Sequence, residues 1–91
     1  MRRAAKVDAN QGEIVRALKL AGATVQSLAR IGDGCPDLLV GYRREFFLIE
    51  VKKGKGDLTE DQRLWHGIWK GFHVAIARTP EEALKAIGAV K

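Results

Sequence analysis

Two carboxylates stand beside segments that are predicted to be buried strands. Asp37 precedes the apolar run LLVGY, and Glu50 follows the apolar run FFLI. If an antiparallel hairpin with two or four loop residues joins these runs, Asp37 lies directly opposite Glu50. Like charges in that position destabilise a sheet unless a cation neutralises them. Carboxylate oxygens are ligands that Mg²⁺ and Mn²⁺ prefer, so this register predicts a divalent metal site.

Lys52 adds a positive charge to the same pattern. It follows Glu50 at the spacing that places both side chains on one face of a strand. A metal that polarises a phosphate, together with a cation that stabilises the transition state, meets the needs of phosphodiester hydrolysis. Asp37, Glu50 and Lys52 therefore predict phosphodiester chemistry.

A three-residue loop leads to a different interpretation. It shifts the pairing by one position and turns Asp37 to the face opposite Glu50. A second alternative, which does not depend on the register, is that Asp37 caps the end of a strand and that Glu50 and Lys52 form a surface ion pair. The residues alone leave these interpretations open.

Composition limits the classes of protein to which the chain can belong. Its 91 residues favour a single domain. Its net charge of +5 favours a polyanion such as nucleic acid as a partner. One cysteine and two histidines provide too few ligands for a structural zinc site, so a metal would be held by oxygen. Without a membrane-spanning run or a signal-like segment, we expect a soluble cytoplasmic protein that does not bind a membrane.

The elements that would position these residues follow from the spacing of apolar residues. Their order is αβββαβα, which predicts an α/β fold. Asp8 is a candidate N-cap for the first helix, and Thr59 and Gln62 form a capping box that opens the second. Residues 1–7 are predicted to be a basic arm, and residues 8–91 a single domain. The predicted helices cover 9–21, 60–70 and 80–87, and the predicted strands cover 23–31, 37–42, 45–52 and 72–78.

A family resemblance extends this interpretation. CPDLLVG followed by LIEVKKGKGDLTEDQ resembles the signature of the PD-(D/E)XK nucleases, and more narrowly the virus-type replication-repair nuclease (VRR-Nuc) domain. The resemblance covers residues 13 to about 69. It implies a restriction-endonuclease-like αβββαβ core with a mixed central sheet flanked by helices, to which this chain adds a C-terminal helix.

The resemblance also implies a role for individual residues. The metal ligands would be Asp37, Glu50 and the main-chain carbonyl of Val51, with Glu13 contributing directly or through water. Lys52 and Gln62 would complete the catalytic group. Two of these residues have simpler alternatives, because Glu13 also fits an exposed first-turn glutamate and Gln62 a helix-capping residue.

The function implied is that of a Mg²⁺-dependent DNA endonuclease in which Mn²⁺ can substitute. Because so short a chain leaves little room for a base-reading module, we expect selection of branched DNA, such as a four-way (Holliday) junction, in replication, recombination or repair. A non-catalytic nucleic-acid-binding module and a sequence-specific restriction-type nuclease are the alternatives. The residues assigned to DNA contacts are Arg43, Arg44, Lys53 and Lys55.

The remaining aromatic and histidine residues are predicted to have structural roles. Trp65 and Trp69 recur at helical spacing, which indicates a core or a dimer surface. A thin core and this large apolar helix face together predict a homodimer. His66 and His73 are distant in sequence from the carboxylates and are expected to be partly buried structural residues.

Overall fold

A computed structural model describes residues 9–90, which form three helices and four strands in the predicted order. The basic arm predicted over residues 1–7 and the predicted cap at Asp8 lie outside the described residues. Among residues 9–90, no helix has the length and apolar character needed to cross a membrane. The helices are α1 (Ala9–Leu20), α2 (Glu60–Ile68) and α3 (Pro80–Ala86), and the strands are β1 (Thr24–Ser27), β2 (Leu38–Tyr42), β3 (Glu45–Val51) and β4 (Ala75–Ala77).

The four strands form one mixed sheet in the order β1-β2-β3-β4. The β1–β2 and β2–β3 pairs are antiparallel, and β4 lies parallel to β3. Parallel neighbours need a crossover connection, which α2 supplies between β3 and β4. The chain therefore has a small α/β fold, as the sequence predicts.

The β2–β3 connection is a loop of two residues. Arg43 and Arg44 have φ values of 52° and 71°, both positive, which is the backbone of a type I′ turn. This turn pairs Tyr42 with Glu45 and Leu38 with Ile49. The loop length confirms the condition under which Asp37 lies opposite Glu50.

One face of the sheet is covered by α1 and α3. Ile49 and Val51 of β3 point into this core, which also contains Ile14 and Leu18 of α1. Because side chains alternate along a strand, Glu50 and Lys52 must point to the opposite face. The other buried hydrophobic residues are Ala23, Leu38, Val40, Ala77, Ala83 and Ile87.

The opposite face of the sheet is largely open. Phe46 on this face is 71 % exposed, and a shallow apolar depression of about 330 Å³ lies beside it. The helix α2 has no buried residue, and its apolar Leu64 and Ile68 are 61 % and 71 % exposed. The polar residues on this face are therefore not part of the hydrophobic core.

Two predicted strands are shorter than expected. The segment 23–31 is extended only over Thr24–Ser27, because the chain turns afterwards and the Ile31 amide donates to the Leu28 carbonyl. The segment 72–78 is a strand only over Ala75–Ala77, since β4 pairs only with the last three residues of β3. Before it, the Phe72 carbonyl accepts a hydrogen bond from the Trp69 indole instead of joining a ladder.

The turn between β2 and β3 gives a first prediction. A non-glycine residue at positive φ is strained, so Arg44→Gly should raise the free energy of unfolding by about 0.5–1 kcal/mol. Arg44 is the better site, because the Arg43 guanidinium lies 5.1 Å from the centre of the Tyr42 ring. Denaturant unfolding measures the change.

Arg30→Gly is the matched control, since Arg30 is exposed in a turn but does not have a positive φ. There, glycine should leave the stability unchanged or lower it. Equal effects at both positions would contradict the proposed strain at Arg44.

Candidate metal centre

Asp37 and Glu50 meet at the end of the β2–β3 ladder. Asp37 lies one position before Leu38, which pairs with Ile49, and therefore stands opposite Glu50. Its Oδ2 accepts a hydrogen bond of 2.7 Å from the Val51 amide, so the main chain orients this carboxylate. Glu50 is fully buried, with 0 % of its surface exposed.

The electrostatics of Glu50 reflect this position. Its pKa is raised to about 8, first by burial, then by a hydrogen bond with Asp37 and by the negative charge of Asp37; Lys52 acts in the opposite direction. Both burial and a like charge disfavour the ionised form of a carboxyl group. Near neutral pH the Asp37–Glu50 pair therefore retains a proton, and a divalent cation would favour its release.

The donor set fits an oxygen-binding divalent cation. Two carboxylates in contact supply hard oxygen ligands and the negative charge that Mg²⁺ or Mn²⁺ would neutralise. Among residues 9–90, however, no group of three or more His, Cys, Asp or Glu side chains is arranged to hold a metal. The remaining ligands would be a main-chain carbonyl and water.

Gln62 connects α2 to Glu50 of β3 and to Lys52, which follows the end of this strand. Its Nε2 donates to Glu50 Oε2 at 3.1 Å, and its Oε1 accepts from Lys52 Nζ at 2.7 Å. The same Oε1 accepts from the Thr59 amide at 2.9 Å, which completes the predicted capping box. The Gln62 side chain thus caps α2 and also contacts the charged site, so it makes the contacts expected from both interpretations of the sequence.

His66 also reaches Glu50, although the sequence analysis expected only a structural role for it. Its Nε2 lies 3.4 Å from Glu50 Oε1, and its side chain is 15 % exposed. Burial, and after it the charge of Lys52, lowers the pKa of the imidazole. His66 lies four residues after Gln62, so both side chains are on one face of the helix. This spacing is the signal that could have identified His66.

Glu13 is not brought to the carboxylate pair as a direct ligand. It is exposed on α1, and it belongs to no metal-binding group among the described residues. One turn earlier on the same helix, Asn10 Nδ2 donates to the Lys52 carbonyl at 2.8 Å and ties α1 to the end of β3. No local pattern in the sequence indicates this role of Asn10, and a role for Glu13 through water stays a prediction.

The basic residues assigned to DNA lie in two separate places. Lys53 and Lys55 are exposed in the loop that follows β3. Arg78 holds this loop, since its Nε and Nη2 donate to the carbonyls of Gly54 and Gly56 at 2.8 and 2.9 Å. Sequence reasoning gave no role to Arg78, because its partners are main-chain atoms far along the chain.

Arg43 and Arg44 lie at the other end of β3 from Glu50. Arg44 lies six positions before Glu50, which at the rise of a strand is a distance of about 20 Å. The two arginines therefore do not form one cluster with the lysines near the carboxylates.

Gly34 determines how closely α2 approaches the loop before Asp37. It has a φ of +82°, and a Cβ at this position would overlap the main-chain carbonyl of Asp61. Asp61 directly precedes Gln62 on α2. The glycine of the GCPD segment thus lets the helix that carries Gln62 and His66 approach the carboxylates.

The chain matches no family model, no curated protein and no solved structure.

The raised pKa of Glu50 predicts how stability depends on pH. Because the folded state holds this proton more tightly than the unfolded chain, the stabilisation is complete below about pH 4.5 and is lost as pH rises towards 8. In metal-free protein, Glu50→Gln should therefore become increasingly more stable than wild type between pH 5 and 8. Thermal unfolding at several pH values measures the difference.

Glu45→Gln is the control, because Glu45 is an exposed glutamate of the same strand. It should follow the wild-type pH dependence. A constant difference between Glu50→Gln and wild type across this range would contradict a buried, proton-sharing pair.

The contact of Gly34 with α2 gives a prediction with a close control. Gly34→Ala should destabilise the protein by about 1–3 kcal/mol more than Gly32→Ala, since overlap with main chain adds to the strain of positive φ. Gly32 has a φ of +74° and open space around its Cβ position. Denaturant unfolding measures the stability of both variants. If they lose the same amount of stability, the packing of α2 does not depend on its close approach to Gly34.

Proposed function

We propose that the protein is a metal-dependent DNA endonuclease that hydrolyses phosphodiester bonds. The observation that carries the proposal is the hairpin register, which sets Asp37 opposite the buried Glu50 and leaves Lys52 on the same face. Two carboxylates and a lysine in this arrangement are what the PD-(D/E)XK signature of the sequence implies. The element order and the mixed sheet support the restriction-endonuclease-like core that belongs to this proposal.

The metal of the proposed site is Mg²⁺, for which Mn²⁺ substitutes. Asp37, Glu50 and the Val51 carbonyl would hold it, with Glu13 acting through water. When bound, such a cation polarises a phosphate and lowers the pKa of a coordinated water. The buried carboxylate pair supports this assignment, because a divalent cation would offset the repulsion between its like charges more fully than Lys52 does.

Lys52 is the residue proposed to act on the phosphate. Its ammonium donates to Gln62 Oε1 at 2.7 Å, so the side chain is held in place before a substrate arrives. A fixed positive charge beside the scissile phosphate stabilises the negative charge that develops in the transition state. Gln62 is then a positioning residue for both Lys52 and Glu50.

The exposed basic residues are proposed to hold the DNA backbone. Lys53 and Lys55 follow Lys52 directly in a loop that Arg78 holds, so they would contact phosphates next to the cleaved bond. Arg43 and Arg44 would contact the backbone about 20 Å away, which is about six base pairs of duplex. Such contacts position DNA without reading its sequence, in keeping with selection of branched structures.

A homodimer completes the proposal. The apolar residues Leu64, Ile68 and Phe46 are exposed around the open sheet face, and a second copy would remove them from water. Two-fold symmetry would place two carboxylate sites in one assembly. Paired sites suit a substrate with paired strands, such as a four-way junction in replication, recombination or repair.

Cleavage assays test the activity. Incubation with flap, nicked, duplex and four-way-junction DNA should give magnesium-dependent cutting, most rapidly of branched DNA. Asp37→Asn and Glu50→Gln should each lower the rate at least about 100-fold while DNA binding persists, because each removes ligand charge from the metal. Glu45→Gln is the control for a carboxylate on the same hairpin.

Full activity of either site variant would contradict the assignment. DNA binding without magnesium-dependent cutting of any substrate would instead favour a non-catalytic binding module. Cutting confined to one duplex sequence would favour a restriction-type enzyme.

Light scattering tests the dimer. At micromolar concentration the mass should be about twice the 10.0 kDa of the chain, and Ile68→Glu should reduce it to that of the monomer, because a charge cannot be buried in an apolar interface. Leu20→Glu is the control, since Leu20 is 82 % exposed on α1, which packs on the other face of the sheet. A monomeric wild type, or dissociation by the control alone, would contradict the proposed interface.

A further inference from the structure

The helix α2 contacts both oxygens of the Glu50 carboxylate. Gln62 Nε2 donates to Oε2 at 3.1 Å, and His66 Nε2 lies 3.4 Å from Oε1. The two residues are one helical turn apart and therefore present their side chains to the same strand. Each oxygen of Glu50 thus has its own partner on α2.

The two carboxylates of the site are oriented in different ways. Asp37 is held by a main-chain amide of β3, since its Oδ2 accepts from Val51 N. Glu50 is held by side chains of a different element. The orientation of Glu50 is consequently the part of the site that substitutions on α2 can change without altering the sheet.

His66 is covered by the rest of the protein without belonging to the hydrophobic core. No residue of α2 is buried, yet the His66 side chain is only 15 % exposed because it turns inward to Glu50. Its ring also forms a T-shaped contact with the ring of the neighbouring Trp65, with centroids 6.3 Å apart and planes at 76°. The ring is thus confined in the orientation that directs Nε2 at the carboxylate.

We propose that His66 is a positioning residue, which holds Oε1 of Glu50 in the orientation that binds a divalent metal. This inference rests on the proposed metal site. It adds the residue that sets the affinity of that site for the metal. An ionised Glu50 can only accept a hydrogen bond, so the ring donates through Nε2. The contact of 3.4 Å is long for a hydrogen bond, and a charged acceptor shortens such contacts.

Variants at His66 separate this role from a packing role. His66→Gln keeps a donor of similar reach, His66→Leu keeps bulk without a donor, and His66→Asn keeps a donor that is too short to reach Glu50. His73→Leu is the control, because His73 is exposed and remote from the carboxylates in sequence. Since α2 buries no residue, we expect all four variants to unfold at temperatures close to that of wild type.

Calorimetric titration of each protein with Mn²⁺ provides the test. His66→Leu and His66→Asn should bind Mn²⁺ about 10-fold to 100-fold more weakly than wild type, as removal of hydrogen bonds to metal ligands usually does. His66→Gln should restore most of the affinity, and His73→Leu should retain all of it. Pulsed electron paramagnetic resonance of the Mn²⁺-loaded wild type should detect no directly coordinated nitrogen.

Four results would overturn the role of His66. Unchanged Mn²⁺ affinity in His66→Leu would contradict the role of His66 but not the proposed metal site. Equal losses in His66→Leu and His66→Gln, or a coordinated nitrogen in the spectrum, would make the ring a ligand rather than a positioning residue. A wild-type protein that binds no Mn²⁺ would remove the metal site and the role of His66 together.

Discussion

The turn of two residues at Arg43 and Arg44 determines which side chains meet at the far end of the β2–β3 hairpin. Because it has an even number of residues, it pairs Leu38 with Ile49 and sets Asp37 opposite Glu50. One residue more in the loop would turn Asp37 to the other face and end the contact between the carboxylates. Both the electrostatics of the site and its proposed binding of a cation depend on this register.

The same register divides the sheet into two different faces. Ile49 and Val51 point into the hydrophobic core under α1 and α3, while Glu50 points away from it and is nevertheless fully buried. Asp37 lies beside it, and α2 contacts it through Gln62 and His66. The hydrophobic core therefore lies on one face of the sheet and the charged site on the other. For this reason α2 can orient Glu50 without contributing to the core.

The site could be predicted from sequence only as far as local patterns determine it. Strand alternation places Asp37 opposite Glu50 only when the hairpin loop has an even number of residues, a condition that the sequence left open, and the capping box located Gln62. His66 and Arg78 were missed, because their contacts depend on where α2 and β4 lie relative to β3. The approach of α2 depends on the absence of a side chain at Gly34, a non-local contact that no periodicity records. Glu13 was predicted to contribute to the site, but it does not reach the carboxylates directly. Its position on a helix does not determine whether its side chain reaches another element.

Carbon-13 nuclear magnetic resonance of the Glu50 carboxyl group tests the central claim most directly, because it reports the protonation of this one residue. In metal-free protein, titration should give a pKa of about 8, as burial and Asp37 require. Saturating Mg²⁺ should move the midpoint well below this value, since a cation stabilises the ionised pair. A midpoint near 4.5 without metal, the ordinary value of a glutamate, would contradict the buried pair. A midpoint near 8 that Mg²⁺ leaves unchanged would show that the pair does not bind the metal.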